Sequence, residues 1–137
     1  MKKLLFILFV IAAGAVPSIA MMANWPASIV GTWQGVANQS NVKLIIKSQG
    51  TVGACEAITG TMSNLPSGGD SNIQGFYCPA TGHLTFVRKD INNNSTFQSY
   101  SGSLADIGPE LRMAGTFGEV NFVGHLGDYG LFFEKRE

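Results

Sequence analysis

Five segments of the chain repeat one pattern, a large apolar residue and a second one four positions on, with Gly midway: Ile29-Val-Gly31-Thr-Trp33, Ile58-Thr-Gly60-Thr-Met62, Ile73-Gln-Gly75-Phe-Tyr77, Tyr100-Ser-Gly102-Ser-Leu104 and Met113-Ala-Gly115-Thr-Phe117. Residues two apart share a face of a strand, so each segment sets two bulky side chains and one missing side chain on the same side of a sheet. Glycine weakens a strand and is kept at its centre where the sheet coils sharply or another backbone comes close. Five such corners predict a closed sheet.

The rest of the chain fills in the order. The first strand spans 29–36, and Val42, Leu44 and Ile46 alternate with Lys43 and Lys47 in a second, half-buried one. A Gly-containing loop is expected over 48–57. Strands follow at 58–64, 72–78, 83–89, 96–104, 110–117 and 130–135, separated by turn clusters such as Pro79-Ala-Thr-Gly82 and Asn92-Asn-Asn-Ser95, and a Gly-rich loop is expected over 118–128. Short loops between eight consecutive strands describe an antiparallel up-and-down barrel, wide enough for one small ligand. An eight-stranded sandwich is the competing all-β fold. In the meander, the one-to-two, three-to-four, five-to-six and seven-to-eight loops share one end. The longest expected loops, three-to-four and seven-to-eight, mark that end as the open mouth.

Residues 1–20 are set apart from this pattern. Lys2 and Lys3 precede an apolar run from Leu4 to Val16 and then Ser18-Ile19-Ala20, which reads as a signal peptide, leaving residues 21–137 as one domain. The run is short for a spanning helix. A secreted or periplasmic protein is expected, and Cys55 and Cys78 then enter an oxidising compartment where such a pair bridges. Both fall at the end away from the mouth, on neighbouring strands.

Charge excludes several partners. Nine basic residues balance nine acidic ones, the loss of Lys2 and Lys3 leaves a mildly acidic chain, and no run of either sign offers a footprint for nucleic acid or a membrane surface. Catalysis and metals find no support either. His83 and His125 fall at opposite ends of the barrel, no Ser or Cys has a His in reach, and neither His has ligand spacing to a Cys. No cofactor is called for.

The pattern resembles avidin and streptavidin, whose first, third, fourth and sixth strands carry the central Gly seen here at Gly31, Gly60, Gly75 and Gly102. The resemblance runs through residues 21–137 and implies a ligand cup at the open end and a homo-oligomer. It also implies that the biotin site is largely rewritten. The strand-one Asn of the family falls on Gly35, the Ser opening strand two falls near Gln39 or Ser40, and the Tyr that donates to the ureido oxygen falls on Met62, which cannot donate. The Trp ending strand five falls on Arg88. The strand-six hydroxyl pair falls on Thr96 and Gln98, with Tyr100 in place of the following Trp. Phe117 replaces the Trp ending strand seven, and Asp128 matches the Asp before strand eight only with a shifted loop. Each buried polar partner removed costs about 1–3 kcal/mol, so biotin stays a possible ligand but very tight binding is not expected.

Within this frame Arg88 is the candidate that carries chemistry. Leu84, Phe86 and Arg88 share a face and carry the guanidinium toward the mouth, where it needs an anion: Asp128 or Glu119 of the same chain, or the carboxylate or phosphate of a ligand. Arg88, Asn64, Thr96 and Gln98 form the expected polar patch for a small acid, with Tyr100 and Phe117 turned inward beside it. The bland alternative for Arg88 is a strand-end side chain bent into solvent. Trp33 is expected as a core plug. Two other functions compete with ligand binding: a periplasmic protease inhibitor of the small eight-stranded barrel class, for which residues 21–28 would be the inhibitory arm, and an assembly module presenting Val30, Val36, Ile45, Val87 and Phe132 on the barrel exterior.

Overall fold

The computed structural model describes residues 25–52, 54–89, 97–107 and 110–136. The expected signal peptide at 1–20 and the candidate Thr96 lie outside them. Eight strands occur in chain order, β1 (Gly31–Ala37), β2 (Ser40–Val52), β3 (Cys55–Asn64), β4 (Ser71–Cys78), β5 (His83–Lys89), β6 (Phe97–Ile107), β7 (Glu110–Asn121) and β8 (Gly124–Lys135). Each pairs antiparallel with the next, and β8 returns to β1 from Trp33↔Lys135 to Ala37↔Leu131, which closes the barrel and rules out the sandwich.

The alternation read from the sequence is the alternation between inside and outside. Trp33, Leu44, Ile58, Met62, Ile73, Tyr77, Phe86, Tyr100, Leu104, Met113, Phe117 and Phe133 are buried on the axis side. The pattern glycines sit where neighbouring backbones crowd. A Cβ on Gly60 would overlap the carbonyl oxygen of Ile45 on β2, and one on Gly75 would overlap that of Thr85 on β5. Substitution there would push strands apart in a sheet whose closure needs them close.

Two expected loops are strand instead. The segment 48–57 forms most of a hairpin, with β2 running to Val52 and β3 starting at Cys55. A register shift between Ile46 and Ser48 moves the inward parity by one residue, so that Gln49 pairs with inward Ile58. A bulge that brings a polar side chain inside breaks the alternation that marks a strand. The Gly-rich segment 118–128 likewise continues β7 and β8, pairing Gly118 with Asp128 and Glu119 with Gly127. Only Phe122 and Val123 turn, with Asn121 Oδ1 accepting from the Val123 and Gly124 amides at 2.8 and 3.2 Å. The seven-to-eight connection is therefore a tight turn on an extended hairpin, and the mouth is bordered by the 65–70 loop and this hairpin.

The opposite end is sealed. Residues 25–29 cross it as a strap: the Tyr77 hydroxyl donates to Pro26 O at 2.7 Å, Gln49 Nε2 to Ala27 O at 2.6 Å, and Gln49 Oε1 accepts from the Ile29 amide at 2.9 Å. Trp33 Nε1 donates to Ile29 O at 3.0 Å, which makes the expected plug part of this floor. Gln49 Nε2 also contacts Glu56 Oε2, so the inward glutamine joins strap and barrel. Cys55 and Cys78 are bridged at the same end, one residue beyond the Glu56↔Tyr77 pair.

Candidate functional site

The register of the sheet stacks two rings of side chains near the mouth. In the deeper one, Phe86, Tyr100, Phe117 and Tyr129 are successive cross-strand partners from β5 to β8. Their rings stack along the wall, with centroids 4.4 Å apart between Phe86 and Tyr100, 4.8 Å between Tyr100 and Phe117, and 5.1 Å between Phe117 and Tyr129. Two residues along each strand toward the mouth, on the same inner face, Arg88 pairs with Gln98 and Gln98 with Glu119. An apolar floor thus carries a polar rim.

The rim is a connected network. Arg88 Nη1 donates to Asn64 Oδ1 at 2.9 Å and to Gln98 Oε1 at 3.3 Å, and the Tyr100 hydroxyl donates to the same Gln98 oxygen at 2.9 Å. Gln98 Nε2 completes the chain by donating to Glu119 Oε2 at 3.2 Å. The amide of Gln98 is oriented by three partners at once, its oxygen toward the donors and its nitrogen toward the carboxylate. Burial pushes the Tyr100 phenol up to about 12, against the opposing pull of Arg88, while Glu119 adds to the rise. At neutral pH Tyr100 is therefore a donor.

These side chains enclose a cavity of about 200 Å³, lined also by Ala37, Asn38, Ser40, Val42, Phe117 and Tyr129. Arg88 Nε is buried without a hydrogen-bond partner, and among the described residues no carboxylate lies in ion-pair range of this guanidinium. A larger hollow of about 450 Å³ lies between Val36, Phe132, Leu65 and Pro66 on the exterior of the barrel. The smaller cavity is the candidate site, because polar groups converge on it and one of them lacks a partner.

Of the residues singled out in the sequence, the structure brings Asn64, Arg88, Gln98, Tyr100 and Phe117 to this cavity. Thr96 falls outside the described residues. Asp128 is not in the cavity: it is exposed, with its Oδ1 3.1 Å from His125 Nε2 on the β8 side of the extended hairpin. Outward parity at Asp128 follows from the inward Tyr129 beside it. The carboxylate in the cavity is instead Glu119, two residues beyond Phe117 and hence on its face. Ending β7 at Phe117 leaves that residue in a loop, and starting β8 at Gly130 does the same to Tyr129. Continuing the two-residue alternation through the glycines of 118–130 finds both.

A closed eight-stranded meander with a cup at one end and a sealed floor at the other is the avidin-like barrel fold. Two solved structures share it: a low-affinity mutant of shwanavidin, with a TM-score of 0.61 at 17% identity over 80% of this chain and 98% of that one, and apo shwanavidin, with a TM-score of 0.58 at 18% identity over 78% and 100%. No family model matches the sequence, and no curated protein matches it.

Proposed function

We propose that this protein is an exported binding barrel that holds a small acid in its cup, without chemistry. The observation that carries the reading is Arg88, a half-buried guanidinium fixed by Asn64 and Gln98 with its Nε left without a partner among the described residues. An unpaired buried donor costs about 1–3 kcal/mol, more when charged, and a ligand carboxylate in the fork of the guanidinium removes that cost. The leader-like residues 1–20 and the Cys55–Cys78 bridge support export. Tight biotin binding is not part of the proposal, since Met62 stands where a hydroxyl donor would be needed and is fully buried.

Native mass spectrometry of the protein purified from its own host tests the reading, because a retained acid identifies itself. Arg88→Ala should release it. Retention of the same molecule at unchanged affinity by that variant would end the proposal for this cup.

The inhibitor alternative gains little from the strap. Residues 25–29 are hydrogen-bonded to Gln49 and Tyr77 across the floor, whereas an inhibitory arm must extend to its target. Deleting residues 21–28 should therefore leave ligand binding in place.

A further inference from the structure

We infer that the acid held in the cup is a zwitterion, a small α-amino acid whose carboxylate meets Arg88 and whose ammonium meets Glu119. The inference rests on the reading of the cup as a binding site and adds the second charge. Among the described residues lining the cavity there is one guanidinium and one carboxylate. They do not neutralise each other by contact. Gln98 stands between them on the intervening strand, giving its oxygen to Arg88 and its amide nitrogen to Glu119.

This spacing is what a bare acid does not use. An acid bound at Arg88 would leave the Glu119 carboxylate facing the same small space, where like charges repel. An amine would have the converse problem with Arg88. Strands two apart in a sheet are separated by about 9.5–10 Å. The Gln98 amide between them meets Arg88 with its oxygen and Glu119 with its nitrogen, the order in which an α-amino acid would present carboxylate and ammonium, with one charge-assisted hydrogen bond of about 2.8 Å at each end. Its side chain then points down to Tyr100, Phe117 and Tyr129, whose stacked rings turn their edges to an apolar or aromatic group. The cavity volume of about 200 Å³ restricts the ligand to a single amino acid or something of that size.

Calorimetric titration of the disulfide-bonded protein with two matched sets tests this: L-leucine, 4-methylpentanoate and 3-methylbutylamine, then L-phenylalanine, 3-phenylpropanoate and 2-phenylethylamine. In at least one set the amino acid should bind about tenfold tighter than both of its singly charged counterparts. Glu119→Gln should abolish the preference over the acid, and Arg88→Gln the preference over the amine, with unchanged thermal melting of both variants confirming that the barrel is intact. An acid binding as tightly as its amino acid overturns the zwitterion and leaves the small-acid cup standing. Absence of binding by all six compounds also overturns it, and the cup itself is then judged by the Arg88→Ala release experiment.

Discussion

The indole of Trp25 lies against Gly82, so closely that a Cβ on that glycine would come within 2.6 Å of the indole Cδ2. Gly82 also has a φ of 68° at the turn between β4 and β5, a conformation that L side chains adopt at a cost of about 1–2 kcal/mol. Both penalties fall on Gly82→Ala, and the strap must shift to relieve one of them. The variant should lose about 2–3 kcal/mol of stability in urea unfolding, with the Trp25 fluorescence shifted to the red. Wild-type stability would mean that the strap does not rest on this turn.

The Cys55–Cys78 bridge spans 23 positions at the floor. A loop of this size limits the unfolded chain by an amount equivalent to about 3 kcal/mol. The double variant Cys55→Ser, Cys78→Ser should melt at a correspondingly lower temperature. Below that temperature its affinity for the cup ligand should match the wild type, because the rim residues Arg88, Gln98 and Glu119 lie at the other end. Paired loss of stability and affinity would place the bridge in the binding machinery.

Alkaline pH should weaken the fold in a defined window. Tyr77 is pushed up to about 12, first by burial and then by Glu56, and Tyr100 to about 12, first by burial. An unfolded tyrosine loses its proton near 10, so both groups favour the native state fully below pH 10 and lose that contribution as pH rises from 10 to 12. Stability measured in that range should fall, and the absorbance of the Tyr77 and Tyr100 phenolates should emerge only near the upper limit. Tyr77→Phe with Tyr100→Phe should flatten the slope. Full ionisation of every tyrosine at pH 10.5 in the folded protein would contradict the burial of both hydroxyls.

On the outer wall, Val36, Val87, Phe76 and Phe132 are exposed apolar side chains of the strands. A homo-oligomer would cover such a surface. Light scattering of the purified protein should then give a mass of more than one subunit that falls toward the monomer in Phe132→Glu. A wild-type mass that stays at one subunit at all concentrations would remove oligomerisation from the description.

How much of this was legible in the chain depends on one variable, the unbroken two-residue period. Where it holds, from Leu84 to Arg88 or from Gln98 to Leu104, it places strands, parity and the rim side chains together. Where it slips, the reading stops. The bulge after Ile46 turns polar Gln49 inward, and no apolar residue marks the strand from Ser48 to Thr51. In 118–130 four glycines interrupt the bulky residues, so two paired strands resemble a loop, and Glu119 stands in the sequence as one of two candidate anions for Arg88 without a place on the wall of the cup. The strap is a different failure. Its seat depends on contacts between Pro26 and Tyr77, 51 positions apart, which no local pattern encodes.

The double ring at the mouth separates what keeps the barrel folded from what it can recognise. Phe86, Tyr100 and Phe117 are committed to stacking, whereas positions 88, 98 and 119 one step outward project from the same three strands into the cavity, joined by side-chain hydrogen bonds alone. Exchanging those three side chains would rewrite the chemistry of the cup over an unaltered foundation.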